Sequence, residues 1–278
     1  MKYSSRHEGR DLRLPEERRL LLNRILDRLQ SSRTVEGIFI GGSIAQNKED
    51  LFSDIDLRIV VPDDQFPVYV QNKRSIMSEF GDVLFYEETN PNAPFTIAHY
   101  ANFIKVDLFI YTFSRLQPSL WLQDIKIVFD PTGKLQEIRD ASNAMAYRVT
   151  KEEVEKWRGK LFAYIHEVYR RVMREEYYYA LTMINNLRLF IVHGWNMEAG
   201  RLSNAEWDWA KIEGSRSSLE PWQMSLLKSW MCGRDQEEIM KTLCSMIPEI
   251  RRLHGILCDM TGLERNEKKF DQIINLVL

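Results

Sequence analysis

Cysteine is scarce in this chain of 278 residues: Cys232, Cys244 and Cys258 stand far apart, with no CxxC spacing. That excludes a small disulfide scaffold and predicts buried thiols in a reducing compartment. No sign of charge dominates, since 38 Lys and Arg against 40 Asp and Glu leave a net charge of −2. An extended nucleic-acid-binding surface would carry a basic excess, so no nucleic-acid partner is expected, although a local basic pocket for a nucleotide stays open. No apolar run approaches the ~18 residues of a membrane span. The first ten residues carry no hydrophobic signal core, so the expectation is a cytoplasmic protein. Also missing are GxxxxGK[ST], GxGxxG and HExxH, and the five histidines show no metal-ligand spacing, which predicts packing or surface roles for them.

Proline nearly vanishes after residue 150: seven of the nine lie before it, whereas six of the seven tryptophans lie after it. Proline punctuates turns and strand ends, so the chain reads as two domains, residues 1–148 and residues 149–278. In the first, Leu21, Leu22, Ile25, Leu26 and Leu29 follow Pro15 at helical spacing. Strand patterns follow at residues 35–40, 55–61, 83–86, 95–100, 104–111 and 125–129, with a helix at 67–80. Strands mixed with helices give an α/β or α+β domain with a mixed sheet. In the second, Thr150-x-x-Glu153, Ser203-x-x-Glu206 and Asp235-x-x-Glu238 have capping spacing. Helices are expected over the residues that follow each, with further ones at 250–260 and 264–278, the Asp235 helix ending at Pro248. This half predicts an all-α helical bundle.

The chemistry gathers in the first half. Gly41-Gly42-Ser43 is followed by ten residues and then Asp54-Ile55-Asp56. Residues two apart on a strand point the same way, so Asp54 and Asp56 would project together while Ile55 and Leu57 face the core. Adjacent carboxylates repel unless a cation lies between them, and a hard divalent ion such as Mg²⁺ is the natural partner. Glycines let the backbone approach a ligand, and amides of a following helix start plus a serine hydroxyl can hold phosphate oxygens; the same Gly-Gly could also be a turn only. Asp107 is an acid in an otherwise apolar strand, sharing a face with Lys105 and Phe109. If that strand neighbours the Asp54 strand, three carboxylates meet; otherwise Asp107 faces water at an edge.

Gly42-Ser43, Asp54-Ile55-Asp56 and Asp107 together resemble the nucleotidyltransferase superfamily of DNA polymerase β and the antibiotic adenylyltransferases, over about residues 35–112. The size and the two-part layout are most similar to aminoglycoside and lincosamide nucleotidyltransferases. The resemblance implies a Mg²⁺-dependent adenylyltransferase that moves AMP from ATP, or another nucleotidyl group, to a hydroxyl of a small molecule such as an aminoglycoside-like antibiotic, releasing pyrophosphate. It implies Asp54, Asp56 and Asp107 as catalytic metal ligands and Gly42 and Ser43 as nucleotide-binding residues. Asp107 would either complete the metal site or take the acceptor's proton. The helical domain would bind substrate or nucleotide and supply the other wall of a cleft. Alternatives are a protein or another metabolite as acceptor, or a non-catalytic nucleotide sensor, against which three intact acids speak. An acidic lining beyond the metal ligands would favour a cationic antibiotic; a neutral or apolar one would not. Four further features carry a functional reading beside a packing one. Arg188 could meet a phosphate or lie on a solvated helix face. Tyr177-Tyr178-Tyr179 and Trp207/Trp209 could stack on a ring or pack internally. Glu87 and Glu88 could greet a cationic acceptor or be solvated.

Overall fold

The computed structural model describes residues 6–88 and 90–278. Residues 1–5, half of the segment read above for a signal core, lie outside them. Two compact units divide the chain, Met1–Ala146 and Tyr147–Leu278. Among the described residues no helix is long and apolar enough to cross a membrane.

In the first unit, α1 (Glu8–Asp11) and α2 (Leu14–Gln30) precede β1 (Gly37–Ile40), α3 (Gly42–Ala45) and β2 (Ile55–Val60). Then come α4 (Phe66–Ser78), β3 (Val83–Glu87), β4 (Phe95–Tyr100), β5 (Lys105–Tyr111), β6 (Lys126–Phe129) and α5 (Lys134–Asn143). The six strands form one mixed sheet in the order β3-β4-β5-β2-β1-β6. β2 and β5 pair in parallel, and the remaining neighbours are antiparallel. One face is apolar throughout. Ile55, Leu57 and Ile59 of β2 and Val106, Leu108 and Ile110 of β5 are buried with Leu21, Ile25 and Leu29 of α2 and Val70 and Met77 of α4. Burying a side chain of this kind stabilises by about 1.5–3 kcal/mol, so this layer fixes the strand register. On the opposite face a smaller cluster, Phe39, Val60 and Leu135 among its members, covers the far ends of β2 and β5. Helix α5 was not expected from the sequence.

The second unit holds α6 (Lys151–Met173), α7 (Tyr177–Glu198), α8 (Pro221–Ser229), α9 (Gln236–Thr261) and α10 (Glu267–Ile274). Thr150 opens α6 with the full reciprocal cap, its hydroxyl accepting from Glu153 N and Glu153 accepting from Thr150 N. Two expectations need correction. Ser203 opens no helix, because the carboxylate that would close its cap, Glu206, is paired with Lys156 instead. Pro248 ends no helix, because α9 runs through it for 26 residues. A proline there removes one backbone bond, but the buried stripe from Ile239 to Cys258 holds both halves in line against α6 and α7. Of the cysteines only Cys258 is buried, and Cys244 is exposed.

Candidate active site

The site begins with the parallel register of β2 and β5, which sets Asp56 beside Asp107, Ile55 beside Val106 and Arg58 beside Phe109. Because Ile55 and Leu57 are locked into the apolar layer, Asp56 must project from the opposite, open face. Asp54 sits one residue before β2, level with Lys105. Its loop is pinned from below by Arg18, which is 5% exposed on the inner side of α2. The Arg18 guanidinium donates to the backbone oxygens of Asp50 (3.1 Å), Leu51 (3.3 Å) and Ser53 (3.0 Å). A sequence signal for this was present, since a charge stands in phase with the leucines of α2.

Lys105 Nζ lies 2.7 Å from Asp54 Oδ2 and 3.2 Å from Asp107 Oδ2, so an ammonium sits between two of the carboxylates. Burial alone would pull that ammonium down, yet the hydrogen bond it donates to Asp54 and the charge of Asp107 outweigh it and push its pKa up to about 12. Asp107 is the deepest acid of the three, its side chain 14% exposed. Burial pushes its pKa up to about 6 against the pull of Lys105, and the charges of Asp54 and Asp56 add to the rise. Asp107 Oδ1 is buried with no hydrogen-bond partner. A buried, unpaired carboxylate oxygen is costly, and it marks a place where a further donor or cation fits.

The turn after β1 meets the same acids. Gly41 N donates to Asp56 O at 2.9 Å. Gly42 has φ of +62°, and a Cβ on it would fall on Asp56 Oδ2; a Cβ on Gly41 would fall on the Arg58 guanidinium. Gly42 is therefore favoured both by its left-handed backbone and by the close approach of Asp56, whereas at Gly41 the contact is with the movable end of Arg58. Ser43 is buried in the short α3 that follows. Arg58 donates to Asp56 O (3.1 Å), stands 3.8 Å from Asp56 Oδ1 and lies over the Phe109 ring at 5.2 Å. The structure thus brings Asp54, Asp56, Asp107, Gly42 and Ser43 to one region and adds two cations, Lys105 and Arg58, to which the sequence reading gave no task.

Among the described residues no three Asp, Glu, His or Cys side chains stand as a ready metal-holding group. The donor set nonetheless suits a hard divalent ion: carboxylate oxygens on one face, one of them buried and unpaired, with Asp56 Oδ2 close against the left-handed Gly42 turn.

The other candidate residues lie elsewhere. Glu87 faces water at the end of β3, near His99 Nε2 (3.4 Å). Glu88 corrects the solvated reading, because its side chain is 2% exposed and paired with Arg74 at 2.9 Å. Arg188 donates to the Trp230 carbonyl, partly buried rather than on a solvated face. Arg234 lies over the rings of Tyr177 and Tyr178, while Trp207 meets Tyr164 edge-on and Phe190 at a tilt.

Comparison with known proteins finds no match among curated proteins. An aminoglycoside 6-adenyltransferase from Bacillus subtilis is similar in structure at 13% identity, over 94% of this chain and 97% of that one, with a TM-score of 0.40. A nucleotidyltransferase-like protein from Exiguobacterium sibiricum 255-15 is similar at 14% identity, over 86% of this chain and 77% of that one, also with a TM-score of 0.40. The profile of the streptomycin adenylyltransferase family matches residues 16–276, nearly the whole chain. The chain belongs to that family and is a nucleotidyltransferase of the aminoglycoside adenylyltransferase type.

Proposed function

We propose that the chain transfers AMP from ATP to a hydroxyl of an aminoglycoside-like small molecule and releases pyrophosphate, with Mg²⁺ as cofactor, in the cytoplasm. The observation that carries this reading is the β2–β5 register, which sets Asp56 beside Asp107 on an open face next to Gly42. Asp54, Asp56 and Asp107 would hold the ion, which supplies positive charge to the phosphate oxygens as negative charge builds on them. Lys105 has to yield the Asp54 and Asp107 oxygens for this, and its ammonium then becomes available to a phosphate. Gly42 and Ser43 bind the outer phosphates, and Arg58, beside the same turn, adds a fixed positive charge there. The acceptor oxygen forms its bond to the α-phosphorus as the bond from that phosphorus to the bridging oxygen breaks, and pyrophosphate carries away the electron pair. Asp107 serves either as third metal ligand or as the group that receives the acceptor's proton; one position suits both. Residues 1–148 form the nucleotidyltransferase domain in this reading, and residues 149–278 serve substrate or nucleotide binding.

The test is Asp56→Asn, assayed for Mg²⁺-dependent pyrophosphate release with streptomycin and ATP. We expect transfer to be abolished in a protein whose circular dichroism and melting temperature match the wild type. Near-wild-type turnover by the folded variant would overturn the assignment.

A further inference from the structure

The helical unit holds a cleft of about 440 Å³ between α6 and α10, floored by His254 of α9. Two hydrogen bonds span it. Arg158 of α6 donates to Glu264 O, just before α10, at 3.1 Å, and His166 Nε2 of α6 meets Ile273 O, near the end of α10, at 3.1 Å. Between these clasps, Gly159 and Phe162 of α6 and Asn266, Lys269 and Phe270 line the open space. Packing does not demand the gap. Gly159 lies in the interior of α6, where glycine is a poor helix former, and a Cβ on it would meet nothing within 4 Å. The bare backbone at Gly159 leaves room for a ligand to lie close against the helix.

The floor adds an independent signal. His254 is 2% exposed, and its Nδ1 is buried with no hydrogen-bond partner. The ring is held between aromatic neighbours, its centroid 5.0 Å from that of Phe270 and 6.4 Å from that of Phe162. A buried polar nitrogen left unpaired is costly, and this one belongs to a residue that lines a cavity.

The charges decide the class of occupant. Arg158, Arg265 and Lys269 line the cleft against Glu155 and Glu264, three cations to two carboxylates. Burial and then the charge of Arg158 hold the His254 pKa low; Arg251 and Arg265 act in the same direction and Glu267 opposes them, so the floor lies in a positive field. Arg158 is engaged by Glu264 O and stands 3.9 Å from Glu155, while Arg265 is paired with Asp259, outside the lining. Lys269 is exposed, and its ammonium joins no ion pair among the described residues. A single uncommitted ammonium suits a single negative charge, which a carboxylate carries at neutral pH and a phosphate monoester exceeds. The volume is far larger than a bare oxyanion needs and falls within the range of small-molecule pockets, and Phe162, Phe270 and Ile273 give it apolar walls.

We propose that this cleft is a second small-molecule site, built wholly from the helical unit, that binds an organic carboxylate with its apolar body against Gly159, Phe162 and Ile273 and its negative charge on Lys269. The test is calorimetric titration of the full chain with naphthoate as the probe, and with neutral naphthamide and inorganic phosphate beside it, on the wild type, Lys269→Gln and Gly159→Leu. Leucine at position 159 enters the open space and favours the helix, so that variant should melt no lower than the wild type while binding naphthoate at least about tenfold more weakly. Lys269→Gln, at an exposed position, should weaken naphthoate about fivefold and leave naphthamide unchanged, the scale of one exposed ion pair. Should Gly159→Leu melt lower, Lys269→Gln decides alone. A wild type that binds no naphthoate saturably overturns the site, as does equal affinity in Lys269→Gln or in a folded Gly159→Leu. Naphthamide bound as tightly as naphthoate would remove the role of charge, and inorganic phosphate bound as tightly would remove the role of the apolar walls; either result overturns the proposal.

Discussion

Along the open face of the sheet, the rows at the start of β2 and β5 are charged and the rows at their far end are apolar. Asp56 stands beside Asp107 in one row, and two steps further Val60 stands beside Tyr111. The apolar end is roofed by Leu135 of α5 and by Leu116 and Leu122, and among the described residues this cluster includes none of the acids of the charged end. The opposite face of the same strands is apolar from end to end. One pleat therefore does two jobs, and what separates them is the position along the strand. The closed face supplies the energy that holds the register, and the register in turn holds carboxylates together that would otherwise move apart.

The comparison predicts opposite consequences for neighbouring residues of β5. Asp107→Asn should cost transfer on the order of 10³-fold, the scale of removing a group that stabilises transition-state charge, with the melting temperature unchanged or raised. Leu108→Ala, one residue on and on the closed face, should instead cost about 2–5 kcal/mol of stability by denaturant titration. A large stability loss in the first variant, or none in the second, would break the division of labour. A second contrast uses glycine. Gly42 and Gly133 both have positive φ, but a Cβ at Gly42 meets Asp56 whereas one at Gly133 meets nothing within 4 Å. Gly42→Ala should displace the carboxylate and lower turnover by about 10²-fold, while Gly133→Ala should show only about 1–2 kcal/mol of backbone strain and normal turnover.

The smallest effect concerns the helical unit, where His254 is 2% exposed and its Nδ1 has no partner. Burial holds its pKa below the ordinary 6.5, helped by Arg158, Arg251 and Arg265 and opposed by Glu267. The unfolded chain binds the proton more readily, so this contribution is complete above pH 6.5 and is lost as pH falls through the lower folded value. Melting curves between pH 8 and pH 5 should show the loss for the wild type and a flatter profile for His254→Gln.

Much of this was legible in the residues. Strand alternation around Asp54, Asp56 and Asp107 gives their faces directly, and the capping box at Thr150 gives the start of α6. Strand pairing was not legible, because β5 reaches β2 past a helix and a hairpin, and periodicity says nothing of which strands meet. Capping spacing failed at Ser203, where a lysine 47 residues before it in the chain, Lys156, takes the glutamate that a local pattern assigns to the cap. The phase of Arg18 with the leucines of α2 marked its position, but its partners and those of Lys105 were hidden for a similar reason: they are backbone oxygens and carboxylates that only the folded sheet brings near.

The most direct test of the central claim is mass spectrometry of streptomycin incubated with ATP, Mg²⁺ and either the wild-type protein or Asp56→Asn. The account predicts a product carrying one adenylyl group with the wild type, none without the metal and none with the variant. An adenylylated product formed equally by the folded variant would contradict it.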